Sequence, residues 1–276
     1  MSGPGTRRYA VVGDPVAHSL SPLIHNRWMK EAGLDAEYGL LHLQSADAAA
    51  DIRALARTYS GLNVTLPHKL AALAAATEVS PDAQQVGAAN TLTRENGQDW
   101  SADNTDVAGF SDALQAAIGN DLKGKRVVLI GAGGAARAAA LYLARAGAMM
   151  MIVNRSMLNA QALARDLAPN AETADLAQLG ACAEDAVLVV NSASLGHSGA
   201  SLPVLPAGKG RPFLDMSYGK AAESTLLSAA SAGWTPHDGL RMLVGQAAAA
   251  FRIWFGQTPD TGGALSACQA AVAARR

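Results

Sequence analysis

Short apolar runs alternate with alanine-rich stretches of helical period along most of this chain. The runs are of strand length and each intervening stretch has room for a crossover helix, so the pattern predicts an α/β fold with mostly parallel strands. In the first half, strands are expected at 9–12, 37–43 and 62–66, with helices near 22–32, 46–58 and 68–77. A second set of strands follows Leu122-Lys-Gly-Lys125, at 126–130, 149–153, 186–190 and 212–215. A domain boundary is expected near 103–124, where the polar Asp103-Asn-Thr-Asp106 turn starts a helix and the Lys-Gly-Lys linker ends it.

Composition narrows the function classes. Of 276 residues, half are hydrophobic and 16% charged, which is enough apolar material for two cores. Lys plus Arg (22) nearly balance Asp plus Glu (23) without long like-charge runs, so neither nucleic acid nor an anionic membrane surface is an expected partner. The most apolar region, 127–153, is interrupted by Arg137 and Arg145 and does not read as a transmembrane helix. Met1 to Arg8 and the run Tyr9-Ala-Val-Val-Gly13 before Asp14 are too short and too soon polar for a signal-peptide core, so a soluble cytoplasmic protein is expected. Cys182 and Cys268 lack metal-ligand spacing and read as core thiols; no metal site is expected.

The first chemical signal is the loop Gly131-Ala132-Gly133-Gly134-Ala135-Ala136, placed after a strand and opening a helix. Gly131 permits a tight turn, Gly133 lets a pyrophosphate approach the backbone, and small Ala136 allows close helix–strand packing. At the end of the next strand, where an acidic residue would grip the ribose hydroxyls of NAD, the chain reads Asn154-Arg155-Ser156. An arginine can pair with a 2′-phosphate that a carboxylate would repel, so the expected cofactor is NADP.

The second signal is Gly61-Leu-Asn63-Val-Thr65-Leu-Pro67-His-Lys69, which puts an amide, a hydroxyl and an ammonium at the end of a short run. Pro67 ends the run; Asn63 and Thr65, two apart on a strand, would share a face, while Lys69 opens the next element. With the Asp106 carboxylate these groups could hold a polyhydroxylated acid and move a proton on it. Taken singly, Lys69 reads as a solvated lysine, Ser19, Ser21 and Asn90 as turn and cap residues, and His18, His25 and His68 as structural or surface histidines.

The ordered stretches Gly13-Asp-Pro-Val-Ala-His-Ser19-Leu-Ser21-Pro, Asn63-Val-Thr65-Leu-Pro-His-Lys69, Gly87-Ala-Ala-Asn90-Thr-Leu, Asp103-Asn-Thr-Asp106, the glycine loop, Asn154-Arg155-Ser156, Asp215-Met-Ser-Tyr218 and Asp238-Gly-Leu-Arg-Met-Leu-Val-Gly-Gln246 resemble the shikimate dehydrogenase family along nearly the whole chain. The resemblance implies an N-terminal α/β substrate domain (1–106), a Rossmann NADP-binding domain (107–240), C-terminal helices (241–276) returning to the first domain, and an active-site cleft between the two. It implies that Lys69 and Asp106 are the catalytic pair, that Ser19 and Ser21 hold the substrate carboxylate, and that Asn63, Thr65, Asn90, Tyr218 and Gln246 line its other polar groups. For the cofactor it implies Gly131, Ala132, Gly133, Gly134, Ala135, Asn154, Arg155, Ser156, Met216 and Gly239. The implied reaction is the reversible NADPH-dependent reduction of 3-dehydroshikimate to shikimate, in aromatic amino-acid biosynthesis.

Val107, Ala193, Ser217 and Asn159 depart from the family pattern, which leaves a low-turnover paralogue as one alternative. A quinate or quinate/shikimate dehydrogenase is another, and an NADP-dependent sensor module is the non-enzymatic one; intact Lys69 and Asp106 argue against the sensor. Whether the chain forms a homodimer is not decided by the sequence.

Overall fold

The structure, a computed structural model, describes residues 5–95, 97, 99–119, 121–193 and 202–275, so Met1 to Pro4, where the reading of an unexported start begins, lie outside the described residues. It divides into two compact units, Met1–Gly109 with Leu243–Ala271, and Phe110–Met242 with Val272–Arg276.

The first unit contains β1 (Arg7–Gly13), α1 (Ser21–Glu31), β2 (Ala36–His42), α2 (Ala48–Leu55), β3 (Gly61–Val64), α3 (Lys69–Ala75), β4 (Glu78–Val79), α4 (Pro81–Val86), β5 (Thr91–Arg94) and β6 (Trp100–Asp103). The chain leaves it within α5 (Asp106–Ile118). Its sheet runs β2-β1-β3-β5-β6-β4, with β1 parallel to both β2 and β3 and with β5 antiparallel to both β3 and β6. Alternate residues of β1 face two sides: Ala10 and Val12 pack with Ile52, Leu62, Leu92 and Trp100, while the Tyr9 ring packs tilted against Trp254 with centroids 4.9 Å apart. A strand buried on both faces needs a continuous apolar run, which Tyr9 to Val12 provides.

The expected strand at 62–66 is shorter than predicted, because β3 ends at Val64 and Thr65 begins the turn through Pro67. Backbone bonds to the end of β1 nonetheless continue beyond Val64, from Thr65 N to Val12 O at 2.8 Å and from Asp14 N to Leu66 O at 3.0 Å. Lys69 does open the next element, as the first residue of α3. A Cβ on Gly13 would run into the Thr65 side chain, so glycine there lets the end of β1 lie against this turn. The mixed β5–β6 segment was not expected: its Thr-Leu-Thr-Arg and Trp-Ser-Ala-Asp strands are short and half polar, though an Asn-Gly pair between them is a hairpin signal.

The second unit holds β7 (Arg126–Ile130), α6 (Gly134–Arg145), β8 (Met149–Asn154), α7 (Met157–Leu167), β9 (Glu172–Asp175), α8 (Leu179–Ala183), β10 (Leu188–Asn191), β11 (Pro212–Asp215), α9 (Lys220–Ser231) and β12 (Thr235–His237). The chain returns to the first unit within α10 (Leu240–Phe255), and α11 (Thr261–Ala273) follows. All pairings of this sheet are parallel, in the order β12-β11-β10-β7-β8-β9. That is the doubly wound dinucleotide-binding order, reversing between β7 and β10. Val127 and Leu129 of β7 face one core, and Val128 and Ile130 face the other. Burying each such side chain contributes roughly 1.5–3 kcal/mol, which fixes the register of the strand that presents the glycine loop. Among the described residues, no helix is long and apolar enough to cross a membrane.

Candidate active site

The first unit gathers a polar cluster where β3, β5 and β6 end or begin. Lys69 Nζ lies 2.5 Å from Asp106 Oδ2, with the lysine side chain 14% exposed and the aspartate 2%. An ion pair this buried is stable only if its remaining polar atoms are also satisfied. Asn90 does this, its Nδ2 donating to Asp106 Oδ1 and to Gln246 Oε1, both at 3.0 Å. The Asn90 side-chain oxygen accepts from the backbone N–H of Thr105 at 2.7 Å.

Each residue of the Asp103-Asn-Thr-Asp106 stretch has a separate task. Asp103 accepts from Ser80 Oγ at 3.0 Å, tying the end of β6 to the start of α4. Asn104 accepts from Asp106 N at 3.1 Å and donates to Ala88 O at 2.8 Å, satisfying a donor at the start of α5. Thr105 reaches Asn90, and Asp106 meets the lysine. Asn63 is bound into the same cluster: its Oδ1 accepts from Tyr38 Oη at 2.7 Å and its Nδ2 donates to Thr91 Oγ1 at 3.1 Å. Sequence reasoning missed Tyr38, Thr91, Asn104 and Thr105 as parts of the site. Only the quoted motifs, which contain the last three, pointed near them.

Ser19 and Ser21 come together at the start of α1, with their Oγ atoms 3.2 Å apart. Leu20 occupies the N-cap position and supplies no side-chain cap, while Ser19 Oγ accepts from the backbone N–H of Ser21 at 3.2 Å; the two hydroxyls at the positive end of α1 form a place suited to a carboxylate. Thr65 stands at the end of β3, with its backbone N–H bonded to Val12 O at 2.8 Å. Of the three histidines, His18 is exposed, His68 bonds Leu43 O at 2.8 Å, and His25 is fully buried. His25 stacks on Tyr38 at 4.3 Å and packs edge-on against Trp28, and its ring nitrogens find no partner among the described residues. Burial pushes its pKa down to about 3, with the Asn63 side chain opposing the shift.

In the second unit the predicted cofactor residues fall at the carboxyl ends of β7, β8, β11 and β12. Gly131 adopts φ +104°, and a Cβ there would meet Ser192 Oγ at 2.5 Å, so this position needs glycine. Gly133 is the N-cap of α6, without a side-chain cap, and a Cβ on it would meet nothing within 4 Å. The loop therefore offers uncapped N–H groups from Gly134, Ala135 and Ala136 beneath open space, which fits a pyrophosphate. Ala132 lies between the two glycines, part-buried against the core.

Arg155 follows β8 and is exposed, while Asn154 Nδ2 holds Ser156 O at 3.0 Å and Ser156 Oγ caps α7 through Asn159 N at 3.3 Å. An exposed guanidinium at the end of the second strand fits a 2′-phosphate. Met216 and Gly239 are brought together: Gly239 N bonds Ser217 O at 2.8 Å, and a Cβ on Gly239 would overlap Met216 O. Tyr218 lies on the loop after β11, beyond Asp215, whose buried carboxylate accepts from Asn191, Thr225 and the Ser217 N–H. Burial raises the Asp215 pKa and these donors oppose the rise. Of the departures from the family pattern, Val107 is buried in α5 and Ala193 N bonds Asn191 Oδ1 at 3.2 Å. Among the described residues no group of three or more His, Cys, Asp or Glu side chains could hold a metal.

The family model for the shikimate dehydrogenase substrate binding domain matches residues 11–92. The model for shikimate / quinate 5-dehydrogenase matches 113–199, and that for the shikimate 5′-dehydrogenase C-terminal domain matches 239–273. The chain is 46% identical over 272 residues to a shikimate dehydrogenase (NADP(+)) of Hyphomonas neptunium, covering 98% of this chain and 99% of that one. Among solved structures it is similar to a shikimate dehydrogenase in complex with NADP+, with TM-score 0.88 and 31% identity over 99% of this chain and 98% of the other. It is also similar to the shikimate 5-dehydrogenase of Thermus thermophilus in complex with NADP(H) and shikimate, with TM-score 0.81 and 35% identity over 96% of this chain and 99% of the other.

Proposed function

This chain belongs to the shikimate dehydrogenase family, and from that membership we infer that it catalyses the reversible NADPH-dependent reduction of 3-dehydroshikimate to shikimate, in aromatic amino-acid biosynthesis. One observation carries the assignment of chemistry: the buried Lys69–Asp106 pair, supported by Asn90.

The reading makes residues 1–106 with the helices of 241–276 the substrate domain, and 107–240 the NADP domain. Ser19 and Ser21, at the start of α1, bind the substrate carboxylate through their hydroxyls. Asn63, Thr65 and Gln246 line the ring hydroxyls, and Asn90 holds Asp106. Gly131 to Ala135 hold the pyrophosphate, and Arg155 the 2′-phosphate, beside Asn154 and Ser156. When bound, NADPH supplies the hydride. The chain supplies the proton: Lys69 Nζ keeps one N–H on Asp106 and offers another to the substrate oxygen, donating a proton as the alkoxide develops and accepting it in reverse. Asp106 orients that ammonium. Balanced charge supports an enzyme acting on a small molecule, without nucleic acid, and on this reading it works in the cytoplasm.

Incubation with shikimate and NADP, followed by mass spectrometry, tests the reading. Shikimate should lose two hydrogens only when NADP is present. Binding of both molecules with no change in mass would favour the sensor, and turnover of quinate in place of shikimate would move the substrate assignment.

A further inference from the structure

We propose that Thr91 is a positioning residue for this reaction, acting through Asn90 on Asp106. The inference rests on the assignment of Asp106 and Lys69 to the chemistry.

Thr91 is fully buried on β5, and its hydroxyl is a node. Its Oγ1 accepts from Asn63 Nδ2 at 3.1 Å, lies 3.1 Å from Asn90 Oδ1 and is 3.0 Å from Thr105 Oγ1. Thr105 Oγ1 is itself 3.1 Å from Asn90 Oδ1, so three oxygens form a triangle in which two hydroxyl hydrogens serve two of the three edges. The backbone N–H of Thr105 also points at Asn90 Oδ1, and only an oxygen can accept there. The amide orientation is thereby set: Oδ1 faces the threonines, and the NH₂ faces Asp106 and Gln246.

Asp106 Oδ1 thus always meets a donor hydrogen, and a proton on that oxygen would have no acceptor. The carboxylate is held as an acceptor, with Oδ2 turned to Lys69 Nζ. Loss of the Thr91 hydroxyl would open the triangle and leave the Asn63 amide short of an acceptor. A buried polar network left partly satisfied is costly, because each unpaired group sits in a low dielectric.

Thr91→Val removes the hydroxyl at constant shape, and Thr91→Ser keeps it. Thr91→Val should lower kcat by roughly tenfold or more with NADP KM unchanged, whereas Thr91→Ser should stay near the parental kcat. In an Asn90→Ala background Thr91→Val should add almost nothing to the loss of kcat, because its effect on turnover runs through Asn90, whereas its direct bond to Asn63 should leave a change in shikimate KM in either background. An undiminished kcat in Thr91→Val, or the same fold-loss with and without Asn90, would overturn the proposal. So would a Thr91→Ser variant whose kcat falls roughly tenfold or more below the parental value, which decides the matter even if Thr91→Val does not fold. Asp106→Asn serves as the control: parental turnover there would remove the assignment of Asp106 itself.

Discussion

The two units build their sites from opposite materials. In the first, side chains do the work: Lys69, Asp106, Asn90, Thr91, Thr105 and Asn63 saturate one another's hydrogen bonds in a buried cluster. In the second, side chains are withheld: Gly131 and Gly133 leave out a Cβ, and the start of α6 leaves its N–H groups uncapped. A site made of side chains is sensitive to loss of a functional group. A site made of backbone is sensitive to the addition of atoms. Substitutions in the first unit should therefore act on turnover and substrate binding, and those in the second on cofactor binding.

The largest effect is expected at Lys69. Lys69→Ala should lower kcat by about 10²–10⁴, the range for a positioned proton-transfer group, with a much smaller change in substrate KM. Ser19→Ala with Ser21→Ala comes next. Each lost bond to a carboxylate is worth roughly 1.5–3 kcal/mol, so shikimate KM should rise steeply while NADP KM stays put; an unaltered shikimate KM would return both serines to cap chemistry. Adding one carbon at Gly131 tests the other unit. Gly131→Ala forces a side chain into φ +104° against Ser192, and strain of about 1–3 kcal/mol should weaken NADP binding roughly 5- to 150-fold without touching shikimate KM. Arg155→Ala should weaken NADP by about tenfold and leave NAD activity nearly unchanged, since only the 2′-phosphate loses a partner.

The smallest effect concerns stability. His25 takes up a proton near pH 6.5 in the unfolded chain but only at about 3 in the folded one. Between those values the folded state binds fewer protons, so acidification through that window favours unfolding. At about pH 5.5 the loss from this group should be roughly 1.4 kcal/mol relative to neutral pH, and His25→Phe should abolish that share in chemical-denaturation curves. Equal acid sensitivity of the two proteins would contradict the buried neutral state.

The two sites also differed in how far they could be read from the sequence. The glycine loop was fully legible, because a short apolar strand, two glycines and a helix are local signals that need no partner elsewhere in the chain. Lys69 and Asp106 were legible as types and as a family pattern. The family resemblance also implied that they act as a pair, and the structure brings them into contact; residue spacing alone did not give that contact, since it depends on β3 and β6 both neighbouring the antiparallel β5, an element with weak sequence periodicity. For the same reason Thr91 and Tyr38 went unnoticed: a threonine and a tyrosine in strands read as ordinary β residues until the sheet brings them to Asn63. The end of β3 was placed two residues too late for a different reason: the β-branched run continues past Val64 and keeps backbone bonds to the end of β1 through Leu66, but the turn at Leu66–Pro67 ends its regular strand geometry at Val64.

The central claim is that this pair of sites oxidises shikimate with NADP, and initial rates of reduced-cofactor formation, followed by its near-ultraviolet absorbance, test it most directly. Shikimate with NADP should give the highest kcat/KM of the four combinations of shikimate or quinate with NADP or NAD. The exposed Arg155 should put NADP ahead of NAD by about tenfold or more. No reduced cofactor from shikimate with either nucleotide would contradict the account, and equal kcat/KM for the two nucleotides would contradict its reading of Arg155.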